Sequence, residues 1–296
     1  MHINSRNPSS EQLADQLSQD VKYRVLRAVP NRFTSMPEDG APPNGRCIAI
    51  VDTETTGLDP ATDTIIELAI MLVFADGNGE VLAHLGPISW LQDPDCVLDP
   101  RISLITGLGA QHLAGQTIDD AFARKLLARA DIIVAHNAKF DAAFIEQRYP
   151  SLAQRPWACS CSEIDWLLLG YDGRSQQHLL SQAGWFSNAH RAGDDVWSLF
   201  WLLQHRLRNP GGGAKRTHLS RLLEAADTPT IMVQARGAPF GKKDVLKARG
   251  YHWNASARFW QKELPQIDVG AELAWAAGNG LPPMTKRQVT ACERHR

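Results

Sequence analysis

Residues 46–59 read Arg-Cys-Ile-Ala-Ile-Val-Asp-Thr-Glu-Thr-Thr-Gly-Leu-Asp. The first part, Arg46–Thr53, is a short apolar run rich in Ile and Val, which predicts a central strand. Alternation along a strand puts Asp52 and Glu54 on the same face at its end. Two carboxylates held there repel one another unless a cation sits between them. Hard oxygen donors favour Mg2+ or Mn2+ over Zn2+. Taken alone, the pair reads equally as a solvated strand end. Thr55-Thr56-Gly57-Leu58 then turns away, and Gly57 supplies backbone freedom.

Working outward, 64–74 and 81–91 read as two further strands. Their connections, 57–63 and 75–80, are short and turn-like, so the three strands should form an antiparallel meander. Residues 117–130 predict an amphipathic helix, 131–135 a buried strand, 141–148 a helix and 191–207 another. A sheet followed by strand–helix alternation is a mixed α/β layer architecture. Residues 1–45 read as a helical arm with a Pro-rich lead-in at 37–44. The breaker cluster Asn209-Pro210-Gly211-Gly212-Gly213-Ala214 predicts a boundary, followed by a short helix over 216–226. The expected division is an arm (1–45), a main domain (46–208), a linker with a short helix (209–228) and a small unit (229–296).

Two more segments carry chemistry. His136-Asn137-Ala138-Lys139-Phe140-Asp141 brings a third carboxylate to a strand-to-helix junction, where ligands bind in α/β sheets. In isolation Asp141 reads better as a helix cap, His136 as structural and Phe140 as core. His190-Arg191-Ala192-Gly193-Asp194-Asp195 opens a helix with a histidine and two carboxylates, which the helix dipole alone would favour. Periodicity leaves open which aspartate turns inward. Trp197, Phe200 and Trp201 stand at helical spacing and read as core.

Several classes are excluded or disfavoured. No apolar run reaches the roughly 18 residues a membrane helix needs, and the first residues carry no apolar stretch of the kind a secretory signal has. Five cysteines are few and odd in number, which fits a reducing cytoplasm better than a disulfide framework. Cys159-Ser160-Cys161 has no partner cluster at zinc spacing. No GxxxxGK[ST] run is present, which argues against an ATP-driven machine.

The three segments VDTETTGLD, AHNAKFD and HRAGDD together resemble the exonuclease motifs of the DnaQ-like superfamily, in its DEDDh branch, as in polymerase III epsilon-subunit-like exonuclease domains. The resemblance runs from about residue 46 to 206. It implies a ribonuclease H-like mixed sheet flanked by helices and 3′–5′ exonuclease activity. It implies Asp52, Glu54, Asp141 and Asp195 as ligands of two divalent cations, Mg2+ or Mn2+, and His190 as general base. The family pattern H-x-A-x-x-D selects Asp195 over Asp194. A sister branch has tyrosine four residues before the last aspartate, where this chain has Arg191. Ile65-Ile66-Glu67-Leu68 is similar to the family's second strand, and Ile105-Thr106-Gly107-Leu108 to its loop near the terminal bases. The resemblance further implies that Leu58 packs on the terminal base, that backbone near Thr55 and Thr56 contacts the 3′ nucleotide, and that Asn137 and Phe140 bind substrate. Its expected partner is nucleic acid, a single-stranded 3′ end of DNA above all, within a polymerase or repair complex and away from membranes. A proofreading or nucleic-acid-binding module, or an RNA-trimming nuclease, are the alternatives.

Such residues suit the reaction. Two cations roughly 3.5–4 Å apart can bind both the attacking and the leaving oxygens of a phosphodiester. Histidine as a residue type titrates near neutrality and can accept the proton of water.

The net charge of −1 hides an asymmetry. Residues 1–205 hold 15 Lys+Arg against 25 Asp+Glu, and residues 206–296 hold 16 against 7. A basic end on an acidic body suggests a polyanionic partner. In the final unit Lys242, Lys243, Lys247, Arg249, Arg258 and Lys262 alternate with Phe240, Tyr251, Trp253, Phe259 and Trp260. Residues 251–260 predict a hairpin. The stretch resembles small basic α+β accessory modules found beside nucleases. Lys242, Lys243, Lys247, Arg249, Trp253 and Arg258 are its candidate nucleic-acid contacts, although the tryptophans also suit the core of a tiny domain.

Overall fold

The computed structural model describes residues 8–208, 212 and 214–296. The chain opens with α1 (Ser10–Ser18), capped by Ser9 and Gln12 in a reciprocal box. A two-residue strand, β1 (Arg27–Ala28), follows. The main sheet is then built from β2 (Arg46–Thr55), β3 (Ile65–Ala75) and β4 (Val81–Leu91). After α2 (Pro100–Thr106), α3 (Ala110–Leu113) and α4 (Asp120–Arg129) come β5 (Ile132–Ala135), α5 (Ala138–Arg148) and β6 (Trp157–Cys159). The order across the sheet is β4-β3-β2-β5-β6. The first three strands form the expected antiparallel meander, while β5 and β6 run parallel to β2. Together with the helices on its two faces, this is the ribonuclease H-like arrangement that the motifs implied.

β3 is buried at all eleven positions, because both faces of the sheet are covered. Ile48 and Ile50 of β2 with Met71 and Val73 of β3 form one core. Ala49 and Val51 of β2 with Leu68, Ile70 and Leu72 of β3 belong to the other. The first face is roofed by α8 (Ala192–Gln204), whose Val196, Trp197, Leu199 and Phe200 are at most 2% exposed. The opposite face is roofed by α4 and α5 through Leu126, Leu127, Phe144 and Ile145. Full burial of one such side chain contributes about 1.5–3 kcal/mol. Trp197 and Phe200 are core as expected, and Trp201 packs against the same cluster.

Several elements carried no legible signal. These are β6, α6 (Ser160–Glu163), α7 (Gln176–Gln182) and β7 (Trp185–Phe186). β1 pairs in parallel with β7, so part of the N-terminal arm adds to the nuclease body. β8 (Arg206–Arg208) and β9 (Lys215–Thr217) form a hairpin. The breaker cluster expected at 209–214 falls between them, with 209–211 and 213 outside the described residues. α9 (His218–Asp227) follows, and its Leu219, Leu222, Leu223 and Ala226 join the core under α8.

The final unit is a four-stranded sheet in the order β11-β12-β10-β13, formed by β10 (Thr230–Ala235), β11 (His252–Asn254), β12 (Phe259–Leu264) and β13 (Thr285–Val289). β11 and β12 are the expected hairpin. α10 (Lys243–Ala248) and α11 (Val269–Gly278) pack on it through Leu246, Val269 and Ala276. The chain then returns to the nuclease body. The Trp157 N–H donates to Ala291 O, and the Arg294 guanidinium meets Glu163, both side chains under 10% exposed. Among the described residues, no helix is long and apolar enough to cross a membrane.

Candidate metal centre and active site

The site forms because β2 and β5 are parallel and end together. Asp52 and Glu54 occupy even positions of β2, the face of Ile48 and Ile50 and therefore the face under α8. Asp195 stands in the first turn of α8. Carboxylate oxygens of Asp52, Glu54 and Asp195 lie within 4.8 Å of one another. Odd-numbered Thr53 points to the opposite face, toward α5. Its hydroxyl donates to Asp141 Oδ1 at 2.8 Å, and Asp141 is 3% exposed. The fourth carboxylate thus approaches the strand end from the other side of the sheet. It stands outside the three-carboxylate cluster yet lines the same cavity of ≈ 580 Å³, as do His190, Asn137 and Phe140.

Asp141 is not a helix cap. α5 begins at Ala138, so Asp141 stands one residue beyond the first three helical positions, and Asn137 takes the cap position. The strand also runs two residues further than the apolar pattern predicts. Its last pairs, Glu54 with Glu67 and Thr55 with Ile65, skip a residue on β3, a bulge of the kind found beside active sites. An added Cβ at Gly57 would displace the Asp63 carboxylate, which accepts from the Thr56 hydroxyl and the Asp59 N–H.

The electrostatics follow from crowding. Burial first, then Asp141, Asp195, Glu54 and Glu67, hold the Asp52 carboxyl well above its usual range. Burial, then Asp195, Glu67 and Asp141, raise Glu54 to about 7. Burial raises Asp141 to about 7 even though the Thr53 hydroxyl favours its anion. Asp195 is also raised, by burial, while the His190 N–H and Gln177 pull it down. Four carboxylates at odds with one another in one cavity are a donor set for hard divalent cations. The residues fit such a group.

His190 has φ 66°, a left-handed backbone uncommon outside glycine. Its N–H donates to Asp195 Oδ2 at 2.8 Å, so the backbone of the candidate base holds a candidate ligand carboxylate. Asp195 has further partners that the motifs did not indicate. Gln177 Nε2 donates to Asp195 Oδ1 at 3.2 Å, and Gln176 Nε2 donates to the Asp195 carbonyl at 2.8 Å. Glu67, the cross-strand neighbour of Glu54, is 2% exposed; it accepts from Arg191 Nε at 3.0 Å and from the Ala192 N–H at 3.3 Å. His136 bonds Ser160 Oγ and the Arg174 carbonyl, as a structural residue would. The spacing Ile-Glu-Leu in β3 was the only signal that could have singled out Glu67. The two glutamines stood in a stretch with no strong pattern.

Thr55 is buried and donates to Gly57 O, Thr56 bonds Asp63, and Leu58 is 84% exposed. None of the three lines the cavity. The candidate contacts of the small domain divide. Lys247 and Arg258 are exposed, and Trp253 is half-exposed with its ring against Trp260. Lys242 is half-buried, and Lys243 lies over the Phe240 ring, itself 82% exposed. Arg249 is engaged by Glu272 at 3.1 Å, which Lys262 also meets. Glu272 is 3% exposed, so these two cations neutralise a buried carboxylate of their own domain.

Known proteins are similar to parts of this chain. A DNA polymerase III PolC-type from Listeria monocytogenes is 34% identical over 102 residues, 34% of this chain and 7% of that protein. Ribonuclease T from Actinobacillus pleuropneumoniae is 32% identical over 112 residues, 33% of this chain and 50% of its own length. The chain therefore spans half or less of the length of these relatives. A zinc-bound complex of E. coli exonuclease I with single-stranded DNA superposes with a TM-score of 0.46 and 16% identity, over 83% of this chain and 64% of that one. The model of the exonuclease family RNase_T matches residues 49–198, from within β2 to within α8. That match takes in Asp52, Glu54, Asp141, His190 and Asp195 and covers just over half of the 296 residues, and the chain belongs to this exonuclease family.

Proposed function

We propose that this chain is a 3′–5′ exonuclease that uses two divalent cations, Mg2+ or Mn2+, on single-stranded 3′ ends, of DNA above all. The observation that carries this reading is the convergence of Asp52, Glu54 and Asp195 within 4.8 Å, in one cavity with Asp141 and His190. When bound, the cations supply charge for the leaving oxygen and a water of lowered pKa. The four carboxylates hold them, with Thr53 fixing Asp141 and Gln177 fixing Asp195. His190 stands at the mouth of the cavity and takes the proton from the attacking water. Asn137 and Phe140, which line the cavity, receive the terminal nucleotide, and the exposed Leu58 and the backbone near Thr55 and Thr56 contact it from outside the cavity wall. Lys242, Lys243, Lys247 and Arg258, with Trp253 as a stacking surface, grip the strand behind it.

Ribonuclease T among the relatives supports a second reading, trimming of RNA 3′ ends by the same carboxylates. The PolC relatives support a setting beside a polymerase or in a repair complex. The test is digestion of 5′-labelled single- and double-stranded DNA and RNA, with Mg2+, with Mn2+ and with chelator. A metal-dependent ladder shortening from the 3′ end is expected. Full activity in chelator, or internal cuts alone, would overturn the proposal.

A further inference from the structure

The catalytic histidine stands on a short segment, 187–191, between β7 and α8. His190 itself adopts a left-handed backbone that a β-carbon disfavours. Such a conformation persists only where the surroundings hold it. Both ends of the segment are held by chain that lies before the family match.

At the leading end, β1 pairs with β7. The Arg27 N–H donates to Gly184 O and the Val29 N–H to Phe186 O, each at 3.0 Å. At the trailing end, Arg32 Nη2 donates to Asp194 Oδ1 at 2.5 Å, beside the ligand Asp195. The same guanidinium lies over Gly193, where an added Cβ would stand 2.9 Å from Arg32 Nη1 and 2.4 Å from Ser89 Oγ. Between these anchors, Pro30 O accepts from Trp197 Nε1 at 2.7 Å. The Phe33 ring packs edge-on against Trp197 and His84, at 5.5 and 4.9 Å.

We infer that residues 27–33 form a strap whose job is to position His190, with Arg32 as a positioning residue. The inference rests on the reading of His190 as general base. The Arg32–Asp194 pair is part-exposed, 40% and 38%, so it contributes little to stability. Its effect is on geometry: it fixes the first turn of α8 from the solvent side, while Glu67 fixes Arg191 and Ala192 from within.

The test is single-turnover and steady-state cleavage of a 5′-labelled oligodeoxynucleotide in Mg2+ by Arg32→Ala, Arg32→Lys and Val29→Pro, each also in a His190→Ala background. A displacement of the base by about 1 Å costs up to ~10²-fold, so Arg32→Ala should lower kcat by ~10-fold or more with KM nearly unchanged. Arg32→Lys should restore part of it. In the His190→Ala background Arg32→Ala should have no further effect, because the group it positions is gone. Melting temperature reports whether each variant is folded. An unchanged kcat in Arg32→Ala, or the same loss with and without His190, would overturn the strap's role. If His190→Ala alone left kcat intact, the reading of His190 as base would fail instead.

Discussion

Replacing Asp141 with Asn should stabilise the metal-free protein above neutral pH while abolishing cleavage. Asp141 is 3% exposed, and burial raises its carboxyl from 3.8 to about 7. That rise corresponds to at most ~4 kcal/mol separating the protonated from the ionised folded form. The folded state therefore holds a proton that the unfolded chain releases between about pH 4 and pH 7. Stability from this group is complete below pH ~4, falls as pH rises through about 7, and is then lost. Asn carries no charge, and its Oδ1 can still accept from the Thr53 hydroxyl. The difference between variant and wild type should grow with pH, reaching roughly 5–10 °C in melting temperature at pH 8 in chelator.

The difference is the useful quantity because other groups oppose the trend. Burial lowers His84, His136, His205 and His218. A lowered histidine adds stability as pH rises through its unfolded value, so the raw curve mixes both signs. Scanning fluorimetry from pH 5 to 8.5, with chelator and with Mg2+, separates them. Mg2+ should raise the wild type most at high pH, where cation no longer competes with protons. An Asn variant no more stable than wild type at pH 8 in chelator would refute the account of a carboxyl kept protonated by burial.

Asp195→Asn should abolish cleavage and Asp194→Asn should be mild, since the amide oxygen that replaces the Asp194 carboxylate can still accept from Arg32; equal kcat values for the two would show that the wrong aspartate was chosen. Arg294→Ala leaves the buried Glu163 with His295 and the Cys159 N–H but without its guanidinium, and should cost ~3–5 kcal/mol, read as a lower urea midpoint. Lys242→Glu with Lys247→Glu should weaken binding of long single strands and flatten its salt dependence, read by fluorescence anisotropy, while a trinucleotide is cut at the wild-type rate. An unchanged salt slope would give the basic domain another partner.

Much of the nuclease was legible in the chain itself. The apolar runs mark β2, β3 and β5 because strands buried on both faces need continuous Ile and Val, while β4, only partly buried, is marked by the short turn before it. Strand alternation put Asp52 and Glu54 on one face, and motif spacing chose Asp195. The rest depended on neighbours distant in sequence. Taken alone, Asp141 reads as a cap and only the motif resemblance implies a ligand; the start of α5 at Ala138 gives the cap position to Asn137 instead. Gln177, Glu67 and Arg32 touch the site through partners 18, 125 and 162 residues away. Arg249 reads as a free cation in the sequence, but the buried Glu272 engages it in the fold. Two-residue strands such as β1 and β7 have no period to detect. Arg27 pairs with Trp185, far away in the sequence, so tertiary structure alone decided where the histidine segment is held.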